Sequence, residues 1–276
     1  MSRLVLAFDL GGTNVRCGVL NEQFEILARA KTSVGNRPRP EEAVRKMQEI
    51  AGEALAHLGK KAGDLACVGL GSPGPLNSQT GIIFETPNLG WKDVPLAQLA
   101  GAALGRPTFL ENDAVSACWG EHVRGAGRGV QTLFILTLGT GVGGGLIIGG
   151  KVWKGPDDIA GHLGHIIVEP NGPTQVFDNP GSVEALCSAT ACIAQAQAAA
   201  YSYPESLLAK IPREQITGAY VNACAEKGDQ PARDIFTPSQ NGMPAPSANA
   251  TLYSTPGERT SARCSGKGGQ NPATAS

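Results

Sequence analysis

A short turn near the start of the sequence carries residue types that can bind phosphate. Asp9 follows an apolar run, Leu4 to Phe8, and precedes the turn Gly11 to Asn14. Glycine allows backbone amides to approach an anion and to adopt the positive φ angles of an amide nest, and Thr13 and Asn14 add donors. Asp9 can hold a hydrated Mg²⁺, which takes only one or two carboxylates. An isolated Gly-Gly pair is also common in hairpin turns, where it serves geometry alone.

A second glycine-rich stretch lies between two further apolar runs. Residues 137–145 have the sequence Thr-Leu-Gly-Thr-Gly-Val-Gly-Gly-Gly and separate Leu133 to Leu136 from Leu146 to Ile148. Short apolar runs bounded by glycine are typical of buried strands. Two strand–glycine–strand units on one chain predict two loops that hold one polyphosphate.

A carboxylate after a further apolar run is the candidate for proton transfer. Thr108 to Leu110 is a predicted strand, and Glu111, Asn112 and Asp113 follow it directly. In open α/β sheets, ligands bind at the carboxyl ends of the strands. A carboxylate placed there can accept the proton of an attacking hydroxyl group. The alternative is that Asp113 caps the helix predicted to begin near Ala114, a role that stabilises a helix by roughly 1 kcal/mol.

Three other segments carry polar side chains that can contact a ligand. His162 and His165 lie on either side of a glycine, which fits a ligand pair for a sugar or a metal, although histidines are more often satisfied by backbone partners. Glu184 lies in the first turn of a predicted helix, where an acid also complements the helix dipole. Asn88 begins the loop Asn88 to Trp91, which is typical of sugar sites and equally of plain surface loops.

The elements around these residues are predicted from the spacing of apolar residues. A strand meander comes first, then a helix, and then strands that alternate with loops and helices. The predicted elements are a hairpin of Arg16 to Leu20 with Phe24 to Lys31, a helix over Pro40 to His57, strands over Cys67 to Leu70 and Ile82 to Pro87, a strand ending at Lys151 to Trp153, and one helix over Ser182 to Ala200.

Length, charge and cysteine usage exclude several classes of protein. The chain has 276 residues, 41% of them hydrophobic, which predicts about two domains with a sizeable core. Its net charge of −1 gives no indication of a nucleic-acid or membrane partner. No apolar run approaches the roughly 20 residues that span a bilayer and no leader is evident, so a cytoplasmic protein is expected. The seven cysteines lack CxxC spacing, which predicts reduced core residues.

Five motifs, in order and spacing, resemble the ROK family of sugar kinases and sugar-responsive repressors. They are Asp-Leu-Gly-Gly-Thr-Asn from Asp9, Pro-Asn-Leu-Gly-Trp from Pro87, Glu-Asn-Asp-Ala from Glu111, Leu-Gly-Thr-Gly-Val-Gly-Gly-Gly from Leu138, and Gly-His-Ile-Ile-Val-Glu-Pro-Asn-Gly-Pro from Gly164. The resemblance covers about residues 1 to 173 and weakens towards 236. It implies an α/β, actin-like ATPase (ribonuclease H-like) fold with two lobes, and with ATP, Mg²⁺ and a sugar bound in the cleft between them.

The resemblance also implies roles for individual residues. Asp113 is similar to the general base that takes a proton from the sugar hydroxyl, and Asn112 is similar to its sugar-binding neighbour. The other sugar-contacting residues that it implies are Asn88, His162, His165 and Glu184. For the nucleotide phosphates it implies Asp9 (with Mg²⁺ held through water), Gly11, Gly12, Thr13, Asn14, Gly139, Thr140, Gly141, Gly143 and Gly144. Residues 87–91 look most like the glucokinases of the family, so glucose is the expected sugar.

Two departures from the family pattern affect ligand binding. The family usually has a glutamate where this chain has His162, and a neutral imidazole has one acceptor where a carboxylate accepts from two sugar hydroxyls, so weaker sugar binding is expected. The family's zinc motif has cysteines at the positions of Gln175, Phe177 and Ser182. Because structural zinc needs four N or S ligands and only His165 remains of that set, zinc is not expected.

The end of the chain departs from the family pattern as well. From Thr237 to Ser276 about two thirds of the residues are Gly, Pro, Ser, Thr or Ala, which predicts a disordered tail and an incomplete second lobe. The predicted domains are therefore an N-terminal lobe over 1–120, a second lobe over 121–236 and a tail over 237–276. A shift of reading frame near Phe236 is one hypothesis for this change of composition.

Other functions stay open on the sequence alone. A repressor of the family would carry a helix-turn-helix ahead of the first glycine turn, and only eight residues precede Asp9, so nucleic acid is not an expected partner. A sugar-binding remnant without full catalysis, or a kinase for mannose or an N-acetylhexosamine, is compatible with the motifs. The expected partner is a small hexose. Dimers are common among relatives, so a homodimer is one option, and the sequence leaves the oligomeric state open.

Overall fold

The computed structural model of the protein describes residues 3–174, 180–236, 250–254 and 261–264. Its backbone divides into two units. Unit 1 contains residues 1–128 together with the segment 154–160, and unit 2 contains residues 129–153 and the chain from 161 onward. The division thus falls between residues 128 and 129, whereas the sequence analysis placed it at 120. The sequence analysis also did not predict that residues 154–160 return to unit 1.

Unit 1 is an α/β structure around a five-stranded sheet with the spatial order β3-β2-β1-β4-β8. In this sheet β1 lies parallel to β4 and β4 parallel to β8, whereas β2 runs antiparallel to both of its neighbours. The elements of unit 1 are β1 (Leu4–Leu10), β2 (Asn14–Leu20), β3 (Ile26–Ser33), α1 (Pro40–Ala56), β4 (Leu65–Ser72), β5 (Leu76–Asn77), β6 (Ile82–Thr86), β7 (Trp91–Val94), α2 (Leu96–Leu104), β8 (Thr108–Asn112) and α3 (Asp113–Arg124).

One face of this sheet forms the main core of unit 1. Leu6, Phe8 and Leu10 alternate along β1 and are buried, as the period-two pattern requires. Helix α1 begins with Pro40 at its first turn, a favoured position for proline, and packs Met47 and its apolar neighbours against β2 and β3. Each large apolar side chain buried in this way contributes roughly 1.5–3 kcal/mol. This core fixes the strands whose ends carry the polar residues.

The carboxyl ends of the parallel strands meet at one edge of the sheet. Asp9 on β1 lies opposite Gly71 on β4, and Gly71 lies opposite Glu111 on β8. Helix α3 starts directly after β8, so Asp113 lies at this same edge. The prediction that Asp113 follows a strand end in an α/β sheet is therefore confirmed.

A small antiparallel sheet of β5, β6 and β7 carries the loop around Asn88. Pairing of Thr86 with Trp91 closes the β6–β7 hairpin, and Gly90 takes a positive φ of 70° in its turn. The buried Trp91 indole donates from Nε1 to the carbonyl oxygen of Pro38 at 2.7 Å. Trp91 therefore anchors this loop to unit 1 and is a structural residue.

Unit 2 contains a second five-stranded sheet and a group of helices. The sheet has the spatial order β11-β10-β9-β12-β13, and the glycine-rich turn connects β9 to β10. The elements are β9 (Thr132–Leu138), β10 (Val142–Ile148), β11 (Lys151–Val152), α4 (Val183–Cys187), α5 (Ala189–Ser202), α6 (Gly218–Glu226), α7 (Gln230–Phe236), β12 (Ala250–Ser254) and β13 (Ser261–Cys264).

Two sequence predictions need correction in unit 2. The single helix predicted over Ser182 to Ala200 is two helices, because Ser188 is extended (φ −74°, ψ 162°) and caps α5 by accepting from the amide of Ala191 at 3.0 Å. The predicted disordered tail includes β12, which pairs antiparallel with β9, and β13, which pairs with β12. The prediction is therefore wrong for these two strands. The rest of the predicted tail lies outside the described residues.

Two expectations from composition can be compared with the described residues. Within those residues, no helix has both the length and the apolar character that a membrane span requires. Of the six cysteines whose side chains the structure describes, five are buried and all six are free thiols, as predicted for reduced core residues.

Candidate active site

A cavity of about 710 Å³ opens at the polar edge of the unit 1 sheet. Its wall combines three carboxylates and one ammonium group with apolar side chains from the strands. The lining includes Asp9, Glu111, Asp113, Lys154, Ala7 and Phe109, all of which belong to unit 1. The volume is within the range of small-molecule sites, and convergent charged groups beside an apolar wall are typical of them.

Asp113 is not the cap of α3. The N-cap is Asn112, whose Oδ1 accepts from the amides of Ala114 and Val115 at 3.0 and 3.2 Å. Asp113 is the first residue of the helix and accepts from the Ala114 amide at 2.8 Å. The capping alternative for Asp113 is therefore wrong, since its neighbour fills that role. A ligand contact from Asn112 would come from its amide nitrogen.

The environment of Asp113 makes it a stronger base than an ordinary aspartate. Surrounding protein atoms reduce the hydration of the carboxylate and raise its pKa, and the negative charge of Asp9 raises it further. The hydrogen bond from the Ala114 amide acts in the opposite direction without reversing the shift. A carboxyl whose pKa is raised towards the working pH is suited to accept a proton from a substrate hydroxyl.

The first glycine turn is held from two sides. The amide of Gly11 donates to the carbonyl of Asn14 at 2.8 Å, and the amide of Val34 donates to the carbonyl of Thr13 at 2.9 Å. A Cβ added to Gly12 would lie 3.2 Å from Cβ of Asn88. The turn and the loop that carries Asn88 therefore lie close to each other.

The reason for glycine in these turns differs from the predicted one. Gly11, Gly12, Gly139 and Gly141 are not among the described glycines with positive φ, so the expected left-handed nest is not present. Close approach accounts for two of the four: a Cβ at Gly141 would overlap the carboxylate of Glu184, and one at Gly12 would lie 3.2 Å from Cβ of Asn88. Nothing lies within 4 Å of a Cβ at Gly139. Of the two reasons expected for glycine here, positive φ is wrong for these four residues, and their contact with phosphate stays a prediction.

The donors of unit 1 fit a hydrated Mg²⁺ and a phosphate chain. Asp9 is an exposed carboxylate at the cavity, and Mg²⁺ in nucleotide sites keeps several waters and takes one or two carboxylates with the substrate phosphates. The described residues contain no group of three or more His, Cys, Asp or Glu that could hold a metal. An ion beside Asp9 would therefore take its other ligands from water and phosphate.

The second glycine turn in unit 2 is shorter than predicted. Only Gly139, Thr140 and Gly141 form the turn, whereas Gly143 and Gly144 belong to β10. A Cβ on Gly144 would overlap the side chain of Leu163, so this glycine has a packing role. The α5 region braces the turn, since the amide of Ala189 donates to Gly139 O and Thr190 Oγ1 donates to Thr140 O, both at 2.8 Å.

Glu184 and the two histidines lie beside this turn. Glu184 Oε2 accepts from the amide of Val142 at 2.8 Å. The rings of His162 and His165 stack with a centroid distance of 6.0 Å. Burial lowers the pKa of His162, the charge of His165 lowers it further, and that of Glu184 partly opposes both. His162 is therefore a neutral imidazole at pH 7, with one donor and one acceptor.

The residues at the family's zinc positions are only partly described. Gln175 and Phe177 lie outside the described residues. Ser182 is buried, and its Oγ accepts from the amide of Ala185 at 3.1 Å, which caps α4. The hydroxyl thus serves the helix at the position where the family has a thiolate.

A charged cluster around Lys154 was missed in the sequence. Lys154 Nζ donates to Glu111 Oε2 at 3.0 Å and to Ser78 Oγ, and lies 3.4 Å from Asp158 Oδ1. The amide and hydroxyl of Ser78 both donate to Asp158 Oδ2 at 2.9 Å. These contacts join three segments distant in sequence, and no local motif signals them. They fasten the segment 154–160 to the strand that leads to Asp113.

The Lys154 cluster should contribute more to stability than a surface ion pair. Its side chains are only 27% (Lys154), 31% (Glu111) and 16% (Asp158) exposed. We expect Lys154→Met to lower the free energy of unfolding by about 1–3 kcal/mol, because two part-buried carboxylates lose their cation. Lys46→Met, which removes an exposed pair with Glu49, should lower it by less than about 1 kcal/mol. Equal losses in denaturant titrations would contradict this assignment.

The same cluster fixes the pH range in which it stabilises the fold. Burial acts to raise the pKa of Asp158, but the hydrogen bonds from Ser78 and the charge of Lys154 outweigh it and hold that pKa below its usual range. Burial acts to lower the pKa of Lys154, but Glu111 and Asp158 together outweigh it and raise that pKa. The stabilisation is therefore complete between about pH 4 and pH 10. It is lost below this range as Asp158 is protonated and above it as Lys154 is deprotonated.

The fold and these turns define the class of the protein. Two units, each with a strand–glycine–strand turn in a five-stranded sheet, form an α/β, actin-like ATPase (ribonuclease H-like) fold, as the sequence predicted. Residues 5–254 match the ROK family, and the chain belongs to that family.

The similar proteins include glucokinases from three bacteria. The chain is 32% identical over 239 residues to a glucokinase of Streptomyces coelicolor, covering 84% of this chain and 73% of that protein. It is 35% identical over 229 residues to a glucokinase of Thermotoga maritima, covering 82% and 71%. A crystal structure of a ROK family glucokinase from Streptomyces griseus, in complex with glucose and AMPPNP, is 33% identical, with a TM-score of 0.71 and coverage of 84% and 73%.

Proposed function

We propose that the protein is a hexose kinase that transfers the terminal phosphoryl group of ATP to a sugar hydroxyl, with glucose as substrate and glucose 6-phosphate as product. The observation that carries the proposal is the carboxylate of Asp113. It does not cap α3, its pKa is raised, and it lines a cavity together with Asp9, which lies beside the first glycine turn. Membership of the ROK family and similarity to glucokinases support the same reaction.

Asp113 would act as the general base. Its carboxylate accepts the proton of the sugar hydroxyl while the hydroxyl oxygen bonds to the terminal phosphorus and the bond to the departing diphosphate breaks. The products are the sugar phosphate, ADP and the protonated carboxyl. Positioning and charge stabilisation dominate phosphoryl transfer, so the loss of this base should slow turnover without removing ligand binding.

The remaining candidate residues are assigned to binding. We propose sugar contacts for Asn88 and Asn112 in unit 1 and for His162, His165 and Glu184 in unit 2. Mg²⁺, when bound, supplies positive charge to the phosphates, and Asp9 would hold it through water. The proposed phosphate contacts are Gly11, Gly12, Thr13 and Asn14 in one turn, and Gly139, Thr140 and Gly141 with the adjoining Gly143 and Gly144 in the other.

A second substrate class is favoured by His162. A neutral imidazole can donate to the carbonyl oxygen of an N-acetyl group, which an ionised carboxylate cannot do. The pKa of His162, lowered mainly by burial, keeps that N–H and one acceptor available at neutral pH. An N-acetylhexosamine is therefore the alternative substrate.

The test is release of ADP from MgATP with a panel of sugars: glucose, mannose, N-acetylglucosamine and N-acetylmannosamine. We expect release that depends on the sugar and is fastest with glucose. Faster release with an N-acetylated sugar would assign the alternative substrate. Binding of glucose by calorimetry with no release of ADP from any sugar would show a sugar-binding protein without kinase activity.

A further inference from the structure

Three charged residues form a row across the first three strands of unit 1. Asp9 on β1 is the register partner of Arg16 on β2, and Arg16 is the register partner of Lys31 on β3. Directly opposed residues project to the same face of a sheet. The row therefore extends from the carboxylate at the cavity towards the sheet edge, and all three residues are exposed.

The row lies beside the first glycine turn. Asn14, the last residue of that turn, pairs with Ser33 at the end of β3, two residues beyond Lys31. Ser33 Oγ also donates to the carbonyl of Thr13 at 3.1 Å. The end of β3 and the turn are thus fastened together, so the two cations stand next to the backbone that is proposed to hold phosphate.

Arg16 and Lys31 are an unfavourable pair for the sheet itself. Like charges that face each other across strands are destabilising. Arg16 Nη1 donates to Asp9 Oδ2 at 2.9 Å, while Lys31 forms no salt bridge in the part of the chain that the structure describes. Arg16 and Lys31 are adjacent cations, and the one carboxylate of the row, Asp9, lies on the far side of Arg16. The row therefore has excess positive charge beside the turn, and an anion would relieve it.

The Asp9–Arg16 ion pair can be broken with little loss of stability. Its side chains are 57% and 67% exposed, and ion pairs of this kind contribute little to stability. A planar guanidinium can form two hydrogen bonds to one phosphate group. If Asp9 turns to a hydrated Mg²⁺, Arg16 is released with its charge uncompensated.

We propose that Arg16, supported by Lys31, is a phosphate-positioning residue that takes a phosphate group of the phosphoryl donor outside the glycine turn, and that it exchanges Asp9 for this phosphate when Mg²⁺ binds. The inference rests on the proposed function for the presence of such a donor. The ligand it recognises is a linear polyphosphate chain, carried by a nucleoside triphosphate or by inorganic polyphosphate.

The test is calorimetric titration of the full chain, without sugar, using inorganic tripolyphosphate and ATP, each with Mg²⁺. We expect Arg16→Gln to weaken binding of both by about tenfold, since it removes a bidentate charged contact, and Lys31→Gln to weaken it by about threefold. The matched control is Arg29→Gln, on the same face of β3 and opposite Gly18, which should change either affinity by less than about twofold. If Arg16→Gln weakens binding of ATP alone, the phosphoryl donor is a nucleotide. If it weakens binding of both ligands, Arg16 recognises the polyphosphate itself.

Two results would overturn the inference. One is an Arg16→Gln affinity within about twofold of the unchanged protein; the other is an equal loss in Arg29→Gln, which would show only general surface charge. Thermal unfolding separates binding from folding, because removal of a like-charge neighbour in Lys31→Gln should not lower the midpoint. Normal tripolyphosphate binding through Arg16 without ADP release from any sugar would refute the proposed function and leave this inference standing.

Discussion

Asp113→Asn should lower kcat for sugar phosphorylation by about 10²-fold or more, because the amide cannot accept the hydroxyl proton. The substitution is nearly isosteric, and α3 keeps its cap because Asn112 supplies it. The matched control is Asp157→Asn, the same chemical change on an exposed carboxylate of unit 1. Steady-state ADP release measures both variants. Retained turnover in Asp113→Asn would remove the residue from the proton transfer.

The same variant should not be less stable than the unchanged protein. Since the folded-state pKa of Asp113 lies above its unfolded value, its ionisation opposes folding, and this residue's contribution to stability falls as pH rises through the folded pKa. A neutral amide avoids that loss at pH 7. Lower activity with an unchanged or higher unfolding midpoint is therefore expected, and a lower midpoint would point to a structural role.

The raised pKa of Asp113 also predicts the acid limb of the activity. Turnover requires the ionised carboxylate, so kcat/KM, which reports groups of the free enzyme, should rise with pH through that pKa. It should reach half of its plateau above about pH 3.9, the ordinary pKa of aspartate. An acid limb at or below that pH would contradict the role of reduced hydration and of the Asp9 charge in raising the pKa of this carboxyl.

Gly164→Ala should destabilise unit 2. A Cβ at Gly164 would overlap the backbone carbonyl of Val142, and backbone cannot move aside as a flexible side chain can. We expect a loss of about 1–3 kcal/mol in the free energy of unfolding and weaker sugar binding, since the adjacent His165 would be displaced. Denaturant titration and calorimetry with glucose measure the two effects.

The control for this substitution is Gly218→Ala. Gly218 is in the first turn of α6, and nothing lies within 4 Å of the position its Cβ would take. Alanine is a better helix residue than glycine by up to about 1 kcal/mol, so this variant should be at least as stable as the unchanged protein. If Gly164→Ala proved as stable as Gly218→Ala, the overlap at Gly164 would be relieved by movement elsewhere and the prediction would be wrong.

Local patterns were sufficient to predict the scaffold of the site. The alternation of β1 and the helical spacing of α1 led to the right elements, and the position of Asp113 after a predicted strand placed it at the sheet edge that carries the cavity. These predictions succeed because burial imposes a period of two on a strand and of 3.6 on a helix. The family motifs added the roles, which periodicity cannot supply.

The features that escaped prediction depend on register or on distant contacts. Adjacent Asn112 and Asp113 are equally good caps in sequence, and only the geometry shows which one caps. The pairing of Arg16 with Asp9 follows from the hairpin register, which a two-residue shift would change. Lys154 contacts Ser78 and Glu111 across 76 and 43 residues of sequence, with no motif to mark the association.

The return of residues 154–160 to unit 1 has a consequence for synthesis. Unit 1 is discontinuous in sequence, because residues 129–153 belong to unit 2. On the ribosome, Glu111 and Ser78 would be synthesised well before Lys154. Strand β8, which leads to Asp113, is therefore made before the ion-pair partner of its Glu111. At about 5–20 residues per second the delay is on the order of seconds, long enough for the rest of the unit 1 sheet to form first. The Lys154–Glu111 ion pair at the polar edge of the unit 1 sheet can therefore form only after β9 and β10 have been synthesised.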